Sequence, residues 1–229
     1  MENYFHTLLA TPLFAGIKEN ELSAMLSCMD ANVLVIPKNT PVFLEGDDAG
    51  FFGIVLEGSV QIVKDDFYGN RSILTYAEPG ELFGEAFACG EVEKMPVSGY
   101  AAKDSKILML SCKKMLTVCS SACSFHNRLI KNLLTVVANR NLNLSQKISV
   151  MSHKTTKEKL MAYLLEQAKK SGSTEFTIPL DRQALADYLG VERSAMSAEL
   201  GKLRKAGILD TTGSRFHLLK EHPINQRFD

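Results

Sequence analysis

The stretch Leu185–Leu203, LADYLGVERSAMSAELGKL, has the pattern of two short helices separated by a glycine. Apolar residues recur every three or four positions on both sides of Gly190, which predicts one buried face for each helix. They are Leu185, Ala186 and Leu189 in the first helix and Met196, Leu200 and Leu203 in the second. The polar residues Arg193, Ser194 and Ser197 fall outside the second apolar face. Spacing alone leaves two interpretations, a packed helix pair or a helix-turn-helix that recognises DNA.

The sequence around this stretch favours the helix-turn-helix. Residues 154–172 have a helical pattern, and residues 173–180, STEFTIPL, predict a short strand. Asp181 stands where an N-cap residue would accept a hydrogen bond from the first helical turn. After the second helix, Gly207 predicts a stop, and residues 208–219 predict a hairpin around a Thr-Thr-Gly-Ser turn. A helix, a helix-turn-helix and a hairpin in this order are typical of a winged-helix DNA-binding domain.

The N-terminal half predicts a β-sandwich or jelly roll. Between about Val33 and Leu110, glycines recur 10 to 12 residues apart, at Gly46, Gly58, Gly69, Gly80 and Gly90. The runs FFGIVL, SVQIV, RSILTY and KILML between and after them are rich in β-formers. Short strands with turn signals at this spacing predict eight strands in a jelly roll, preceded by short flanking helices in the first 30 residues.

A long helix is predicted over His126–Met151, with an apolar stripe at alternating spacings of four and three. We call this stripe the predicted dimer seam; its residues are Ile130, Leu134, Val137, Asn141, Leu144, Ile148 and Met151. A single Asn among apolar a positions fixes a parallel two-stranded register, so Asn141 favours a homodimer. The alternative is that the stripe packs against the sandwich of its own chain.

Charge is balanced over the whole chain but not along it. The 229 residues carry 26 basic and 26 acidic side chains. Residues 1–153 have 13 basic and 16 acidic side chains, whereas residues 154–229 have 13 basic and 10 acidic ones. The basic C-terminal third is suited to a polyanion such as DNA, although a solvated surface would have the same composition.

No membrane or secretion signal is recognisable. No apolar run approaches the ~20 residues of a membrane span, and the N-terminus lacks a basic start followed by an apolar core. We therefore expect a cytoplasmic protein whose five cysteines stay reduced. Cys119 and Cys123, four residues apart, allow a metal or redox role, but small buried side chains are the favoured interpretation.

No enzyme signature is present. The motifs GxxxxGK[ST], GxSxG and HExxH are absent, and the five histidines are scattered without acidic partners at a suggestive spacing. The histidines are His6, His126, His153, His217 and His222. We therefore predict no enzymatic activity, no metal site and no fixed cofactor.

The order of a β-roll, a long helix and a winged helix-turn-helix resembles one family, the cyclic-AMP receptor protein and fumarate–nitrate reduction regulator (CRP/FNR) family of bacterial transcription factors. The resemblance is strongest at residues 51–63, FFGIVLEGSVQIV, at residues 80–88, GELFGEAFA, and at residues 181–209. It implies an α+β fold with three parts: an effector-sensing β-roll over residues 1–120, a dimerisation helix over 121–152 and a winged helix-turn-helix over 153–229.

For DNA binding, the resemblance implies that the helix starting near Arg193 enters the major groove and that Arg193 contacts a base. Ser194 stands where the family often has an acidic residue, and Ala198 where it often has a second arginine. The DNA site should therefore differ from the best-known family half-sites. Ser194 and Ser197 are short enough to reach a base or a phosphate. The remaining predicted phosphate contacts are Lys202, Arg204, Lys205 and Arg215, with Arg182 from the first helix.

For the effector, the resemblance places a pocket at Gly84 and Glu85, with further contacts from Leu144 and Ser145 on the long helix. Members that bind cyclic AMP neutralise its phosphate with an Arg-Ser pair, and here the matching residues are Val97 and Ser98. A buried phosphate without a cationic partner loses hydration without compensation. An effector other than cyclic AMP, more apolar in character, is therefore predicted; the alternative is a β-roll that binds nothing.

Iron–sulfur sensing in this family depends on an N-terminal cysteine cluster, and Cys28 is the sole cysteine ahead of the predicted β-roll. The sequence thus predicts a homodimeric transcriptional regulator that binds a pseudo-palindromic DNA site under the control of an unidentified small molecule. RNA polymerase is the expected partner if the regulator is an activator. The alternative function is an effector-binding module whose winged helix contacts a protein.

Overall fold

The computed structural model describes residues 2–29, 31–90, 92–117 and 124–219. The chain divides into two compact units, Met1–Asn139 and Arg140–Asp229. Three residues considered above, Cys119, Cys123 and His222, lie outside the described residues. No helix among the described residues is long and apolar enough to cross a membrane.

Short helices precede the β-roll, as predicted. Helix α1 spans Phe5–Leu9, a 3-10 turn spans Pro12–Phe14 and helix α2 spans Glu19–Cys28. The first turn of α2 is stabilised by the Glu21 carboxylate, which accepts a hydrogen bond from the Lys18 backbone N–H at 2.9 Å. Helix α2 buries Leu22, Met25 and Leu26 in the first core.

In the described part of the first unit, eight strands form two four-stranded antiparallel sheets, which confirms the predicted jelly roll. One sheet has the order β1-β8-β3-β6 and the other the order β2-β7-β4-β5. Two short helices interrupt the strands, α3 (Glu85–Cys89) after β6 and α4 (Cys112–Leu116) after β8. The strands are β1 Asn32–Ile36, β2 Pro41–Phe43, β3 Phe51–Glu57, β4 Val60–Asp65, β5 Arg71–Ala77, β6 Leu82–Phe83, β7 Ser98–Ala101 and β8 Ser105–Ser111.

Strand β3 is buried on both faces, which explains its continuous apolar run. Phe52, Ile54 and Leu56 pack in a core shared with the N-terminal helices. Val55 points to the opposite face and packs in a second cluster, formed by residues of both sheets, with Phe83. Successive side chains of β3 therefore contribute to two different apolar clusters on opposite faces of the strand.

Helix α5 spans Ser124–Met151, two residues longer at its start than predicted. Leu129 and Leu133 are buried in the first core, and the Asn132 side-chain amide donates to the carbonyls of Leu13 and Ala15, both at 2.9 Å. The chain therefore buries a stripe of α5 that is distinct from most of the predicted dimer seam.

Most of the predicted dimer seam is exposed in the single chain. Leu134 is 65% exposed, and Leu144 and Ile148 are each 60% exposed. Val137 is an exception, because it packs partly against the first core. The alternative interpretation, a seam packed on its own β-roll, thus fits Val137 but not these three residues.

The second unit has the predicted winged-helix order. Its elements are α6 Thr156–Ser171, β9 Glu175–Thr177, α7 Arg182–Leu189, α8 Arg193–Lys205, β10 Leu209–Thr212 and β11 Arg215–Leu218. The three strands form one antiparallel sheet in the order β10-β11-β9. Asp181 caps α7 as predicted, since its Oδ1 accepts from the Ala184 N–H at 2.8 Å. Thr155 and Glu158 form a reciprocal capping box at the start of α6.

The tight turn between β3 and β4 requires glycine at position 58, so substitution of Gly58 should destabilise the fold. Gly58 has a φ of 83°, and an added Cβ would lie 2.3 Å from Ser105 Oγ and 2.4 Å from the Asp104 carbonyl oxygen. We expect Gly58→Ala to lower the free energy of unfolding by more than about 2 kcal/mol, because a strained φ and a backbone clash coincide. Chemical denaturation followed by circular dichroism measures this change.

Gly69→Ala is the matched control, because Gly69 has a φ of 80° but open space around the added Cβ. It should cost only about 1–2 kcal/mol from backbone strain. Equal costs for the two variants would contradict the role assigned to crowding at Gly58.

Candidate DNA-binding surface and effector site

Packing between α7 and α8 determines which face of α8 is exposed. Leu185 and Leu189 of α7 and Met196, Leu200 and Leu203 of α8 are buried in one core. Gly190, with a φ of 60°, adopts the left-handed conformation that ends α7 and lets the chain turn into α8. The apolar face of α8 is therefore fixed inward and its polar face outward.

The exposed face of α8 brings together three of the predicted DNA contacts. Arg193, Ser194 and Ser197 are all exposed, and Arg193 is the first residue of the helix. Within the described residues no hydrogen bond or ion pair engages the Arg193 side chain. Ala198 and Gly201 continue this face without a long side chain, and the space beside Gly201 is open. The exposed face of α8 thus carries the guanidinium of Arg193, followed by residues with short side chains or none.

Two of the predicted phosphate contacts are exposed but already form ion pairs. Lys202 Nζ lies 2.6 Å from Glu199 Oε1, and Arg215 Nη2 lies 2.7 Å from Glu175 Oε1. Exposed pairs of this kind contribute at most about 1 kcal/mol, so exchange of the carboxylate for a phosphate costs little. Arg204 and Lys205, in the last turn of α8, are also exposed.

Arg182 has a structural contact that the sequence did not predict. Its Nη2 donates to Thr211 Oγ1 at 2.8 Å, and its guanidinium lies 5.0 Å from the centre of the Phe216 ring. Thr211 Oγ1 in turn donates to the Arg215 carbonyl at 2.9 Å. Partial burial lowers the pKa of the Arg182 guanidinium. The side chain thereby attaches α7 to the β10–β11 hairpin, and its phosphate contact remains a prediction.

The predicted effector motif forms the start of α3. Gly84 precedes this helix with a φ of 80°, and an added Cβ would lie 3.5 Å from Met95 Cε. Glu85, the first residue of α3, is buried. The motif is therefore a sharp turn followed by a buried carboxyl group.

The two residues predicted to match the Arg-Ser pair, Val97 and Ser98, are both buried. Val97 is only 5% exposed and packs in the apolar cluster that contains Phe43 and Phe83. Ser98 Oγ accepts a hydrogen bond from the Glu45 backbone N–H at 2.9 Å. Position 97 thus adds to the core and supplies no cation.

A cation that the sequence does not predict at this site, Lys64, lies beside Pro96, the residue before Val97. Lys64 Nζ donates to the Pro96 carbonyl at 2.6 Å and forms an ion pair with Glu45 at 2.9 Å. The pairing of β4 with β7, which places Val63 opposite Ser98, brings Lys64 there. Positions 64 and 96 are far apart in sequence, and no local pattern signals this contact.

The two remaining predicted pocket residues, Leu144 and Ser145, belong to the second unit. Both are exposed, and Ser145 Oγ donates to Asn141 Oδ1 at 3.2 Å. The described residues contain no group of three or more His, Cys, Asp or Glu side chains placed to hold a metal ion.

Comparison with known proteins matches both halves of the chain. A family model described as a cyclic nucleotide-binding domain matches residues 33–122, and one described as a Crp-like helix-turn-helix domain matches residues 158–223. The nitrogen fixation regulation protein FixK of Azorhizobium caulinodans is 26% identical over 206 residues, covering 85% of this chain and 78% of FixK. The cyclic AMP receptor protein of Thermus thermophilus is 25% identical over 199 residues, covering 87% of this chain and 88% of that protein.

Solved structures show the same fold. The Thermus thermophilus catabolite activator protein superposes with a TM-score of 0.53 at 22% identity, covering 91% of this chain and 93% of that one. The regulator DNR of Pseudomonas aeruginosa superposes with a TM-score of 0.52 at 19% identity, covering 96% of each chain.

The two domains, their order and these relatives define a class of regulator with an N-terminal effector domain and a C-terminal helix-turn-helix. The chain belongs to the CRP/FNR family and is a DNA-binding transcriptional regulator. Members of this family are transcription regulators and not enzymes.

The contacts of Arg182 give a prediction about the stability of the second unit. We expect Arg182→Ala to lower the free energy of unfolding by about 1–2 kcal/mol, because it removes a cation–π contact and a hydrogen bond. Denaturation followed by circular dichroism measures the change. Arg204→Ala removes an exposed cation from α8 and should stay within about 0.5 kcal/mol of the unsubstituted protein. A neutral Arg182→Ala would show that the contact with the hairpin contributes nothing.

Proposed function

We propose that this regulator is a homodimer that recognises a two-fold DNA site through α8 and responds to an effector other than cyclic AMP. The observation that carries the proposal is the exposed polar face of α8, which starts with the unengaged side chain of Arg193. The apolar face of the same helix is buried, so the polar face is available for DNA.

Base recognition rests on the start of α8. In a helix-turn-helix the N-terminal residues of the second helix face the base edges of the major groove. A guanidinium there offers two parallel donors to guanine O6 and N7, a contact worth about 1–3 kcal/mol of discrimination. Ala198 offers no second contact of this kind, so one strongly specified base pair is expected in each half-site, with weaker contacts from Ser194 and Ser197.

Phosphate contacts come from cations beyond that start. Lys202, Arg204 and Lys205 in the last turns of α8 and Arg215 on the hairpin are exposed and suited to the DNA backbone. These contacts place the protein on the duplex without specifying sequence, and they make affinity depend on salt. Arg182 is a weaker candidate, because its guanidinium is engaged by Thr211 and Phe216.

Substitutions separate the two kinds of contact. Arg193→Ala should reduce the preference for the selected site over random DNA by about 5–150-fold, because a base contact is lost. Lys202→Ala should weaken binding to both DNAs alike and reduce the slope of log affinity against log salt by about 1. Fluorescence anisotropy at several salt concentrations measures both quantities.

Lys38→Ala is the control, since Lys38 is an exposed cation in the first unit and should not change either quantity. Uniform weakening by Arg193→Ala on both DNAs would make Arg193 a phosphate contact and contradict its proposed role.

Dimerisation is proposed from the exposed seam of α5. Leu134, Leu144 and Ile148 lie at heptad spacing and remain more than half exposed in the single chain. Asn141 lies between them and is also exposed. A second copy of α5 would remove these leucine and isoleucine side chains from water and pair the two Asn141 residues, which favours a parallel register. A two-fold dimer accounts for a two-fold DNA site.

Substitutions on α5 test the seam. Leu144→Glu should raise the dimer dissociation constant by at least about tenfold, because it buries a carboxylate in an apolar interface. Asn141→Leu should change the oligomeric state or register. Ser149→Glu is the matched control, because Ser149 is exposed but outside the seam. Sedimentation equilibrium measures the dissociation constant and the oligomeric state of all three variants, and disulfide cross-linking of a cysteine introduced in α5 reports the register. Unchanged dimers in Leu144→Glu, together with an unchanged oligomeric state and register in Asn141→Leu, would refute the proposed interface.

The effector is proposed not to be cyclic AMP. Val97 occupies the position of the phosphate-binding arginine and is buried among apolar side chains. Lys64, the nearby cation, is engaged by Glu45 and the Pro96 carbonyl. A cyclic phosphate in this β-roll would therefore lack its charge partner, and loss of such a partner costs about 2–5 kcal/mol.

Calorimetry tests this proposal directly. Titration of the regulator with cyclic AMP up to millimolar concentration should give no saturable heat. The Thermus thermophilus cyclic AMP receptor protein serves as the positive control. Saturable binding in the micromolar range would contradict the proposed loss of the phosphate site.

Regulation is proposed to occur through coupling between the two sites. An effector that changes DNA affinity by some factor must have its own affinity changed by DNA by the same factor. A cytoplasmic location fits this role, and RNA polymerase is the expected partner if the regulator activates transcription. The alternative, a winged helix that contacts a protein, is disfavoured by the unengaged arginine at the start of α8.

A further inference from the structure

Two cysteines that are distant in sequence lie against each other in the first unit. Cys89 is the last residue of α3, and Cys112 is the first residue of α4. Their sulfur atoms are 2.9 Å apart, although 23 positions separate the residues. The two cysteines do not form a CxxC motif in the sequence. The fold of the β-roll brings them together by placing the two short helices side by side.

The environment of the pair distinguishes the two thiols. Cys112 is buried in the first core, whereas Cys89 is only partly buried at its edge. The side-chain hydrogen bond with Cys89 lowers the pKa of the Cys112 thiol, because it stabilises the thiolate. Cys89 is therefore the more exposed residue of the pair, and Cys112 has the more acidic thiol, with a lowered pKa.

We infer that Cys89 and Cys112 form a reversible oxidation site, which closes to a disulfide when the protein meets a hydroperoxide. A disulfide requires the sulfur atoms to approach to about 2.05 Å, less than 1 Å closer than they now lie. Cys28, which is exposed, has no such neighbour among the described cysteines.

The reaction balances with hydrogen peroxide as the oxidant. One thiolate attacks a peroxide oxygen, the O–O bond breaks, and hydroxide leaves and is protonated to water. The resulting sulfenic acid is attacked by the second sulfur, so that the S–O bond breaks, the S–S bond forms and a second water leaves. Two thiols lose two electrons and two protons, and one peroxide is reduced to two waters.

Closure of this bond would join α3 to α4. The predicted effector motif is Gly84, which precedes α3, and Glu85, its first residue, so the bond would restrict the motion of this motif. In a reducing compartment the pair stays as thiols, and oxidation is a transient response to an oxidant.

The test is a disulfide map of the full-length protein after hydrogen peroxide treatment. Remaining thiols are alkylated, the protein is digested without reductant, and linked peptides are identified by mass spectrometry. We expect a peptide pair linking Cys89 to Cys112 that disappears on treatment with dithiothreitol. The melting temperature should rise by about 5 °C or more on oxidation, because the bond constrains the unfolded chain.

Two variants complete the test. Cys28→Ser should retain the linked peptides and the rise in melting temperature, whereas Cys89→Ser should lose both. Cys89 is only partly buried, so its replacement by Ser should leave the fold intact. Absence of the Cys89–Cys112 peptides would overturn the inference, as would linkage of Cys89 to Cys119 or Cys123, or a melting temperature that oxidation raises equally in Cys89→Ser.

Discussion

The burial of one face of α8 is the constraint on which the proposed DNA recognition depends. Met196, Leu200 and Leu203 pack in the core of the second unit with Leu185 and Leu189 of α7. Because a helix repeats every 3.6 residues, burial of these positions leaves Arg193, Ser194 and Ser197 exposed. The orientation of the recognition surface is thus a consequence of apolar packing, and the polar residues can vary without loss of the fold.

Helix α5 is subject to a second constraint, because its apolar residues lie on more than one side of the helix. Some of them are buried within the chain, and others are exposed. Leu129 and Leu133 are buried in the first unit, and Val150 is buried in the core of the second. The residues of the predicted dimer seam lie mostly on another side of the same helix and remain exposed. A monomer would leave large apolar side chains in water, and a second copy of the chain is the partner proposed to cover them. Helix α5 thus contributes buried residues to the cores of both units.

Features encoded by local pattern could be predicted from the sequence, whereas contacts created by strand register could not. Glycine spacing indicated the strands of the β-roll, and Asp181 and Gly190 indicated the boundaries of α7. The contact of Lys64 with the Pro96 carbonyl depends on how β4 pairs with β7, which no short stretch of sequence specifies. The stacking of Arg182 on Phe216 similarly requires α7 and the hairpin to be in place. The departures from the family pattern at Val97 and Ala198 were visible in the sequence, but the burial of Val97 required the structure.

Selection of binding sequences from a random DNA library tests whether α8 recognises a two-fold DNA site. The purified full-length protein is incubated with the library at about physiological salt, with and without a small-molecule extract of cells. We expect enrichment of one motif whose two halves are related by two-fold symmetry and centred about one helical turn apart. Failure to enrich any motif under both conditions, or enrichment of a motif without symmetry, would contradict recognition of a two-fold site by α8.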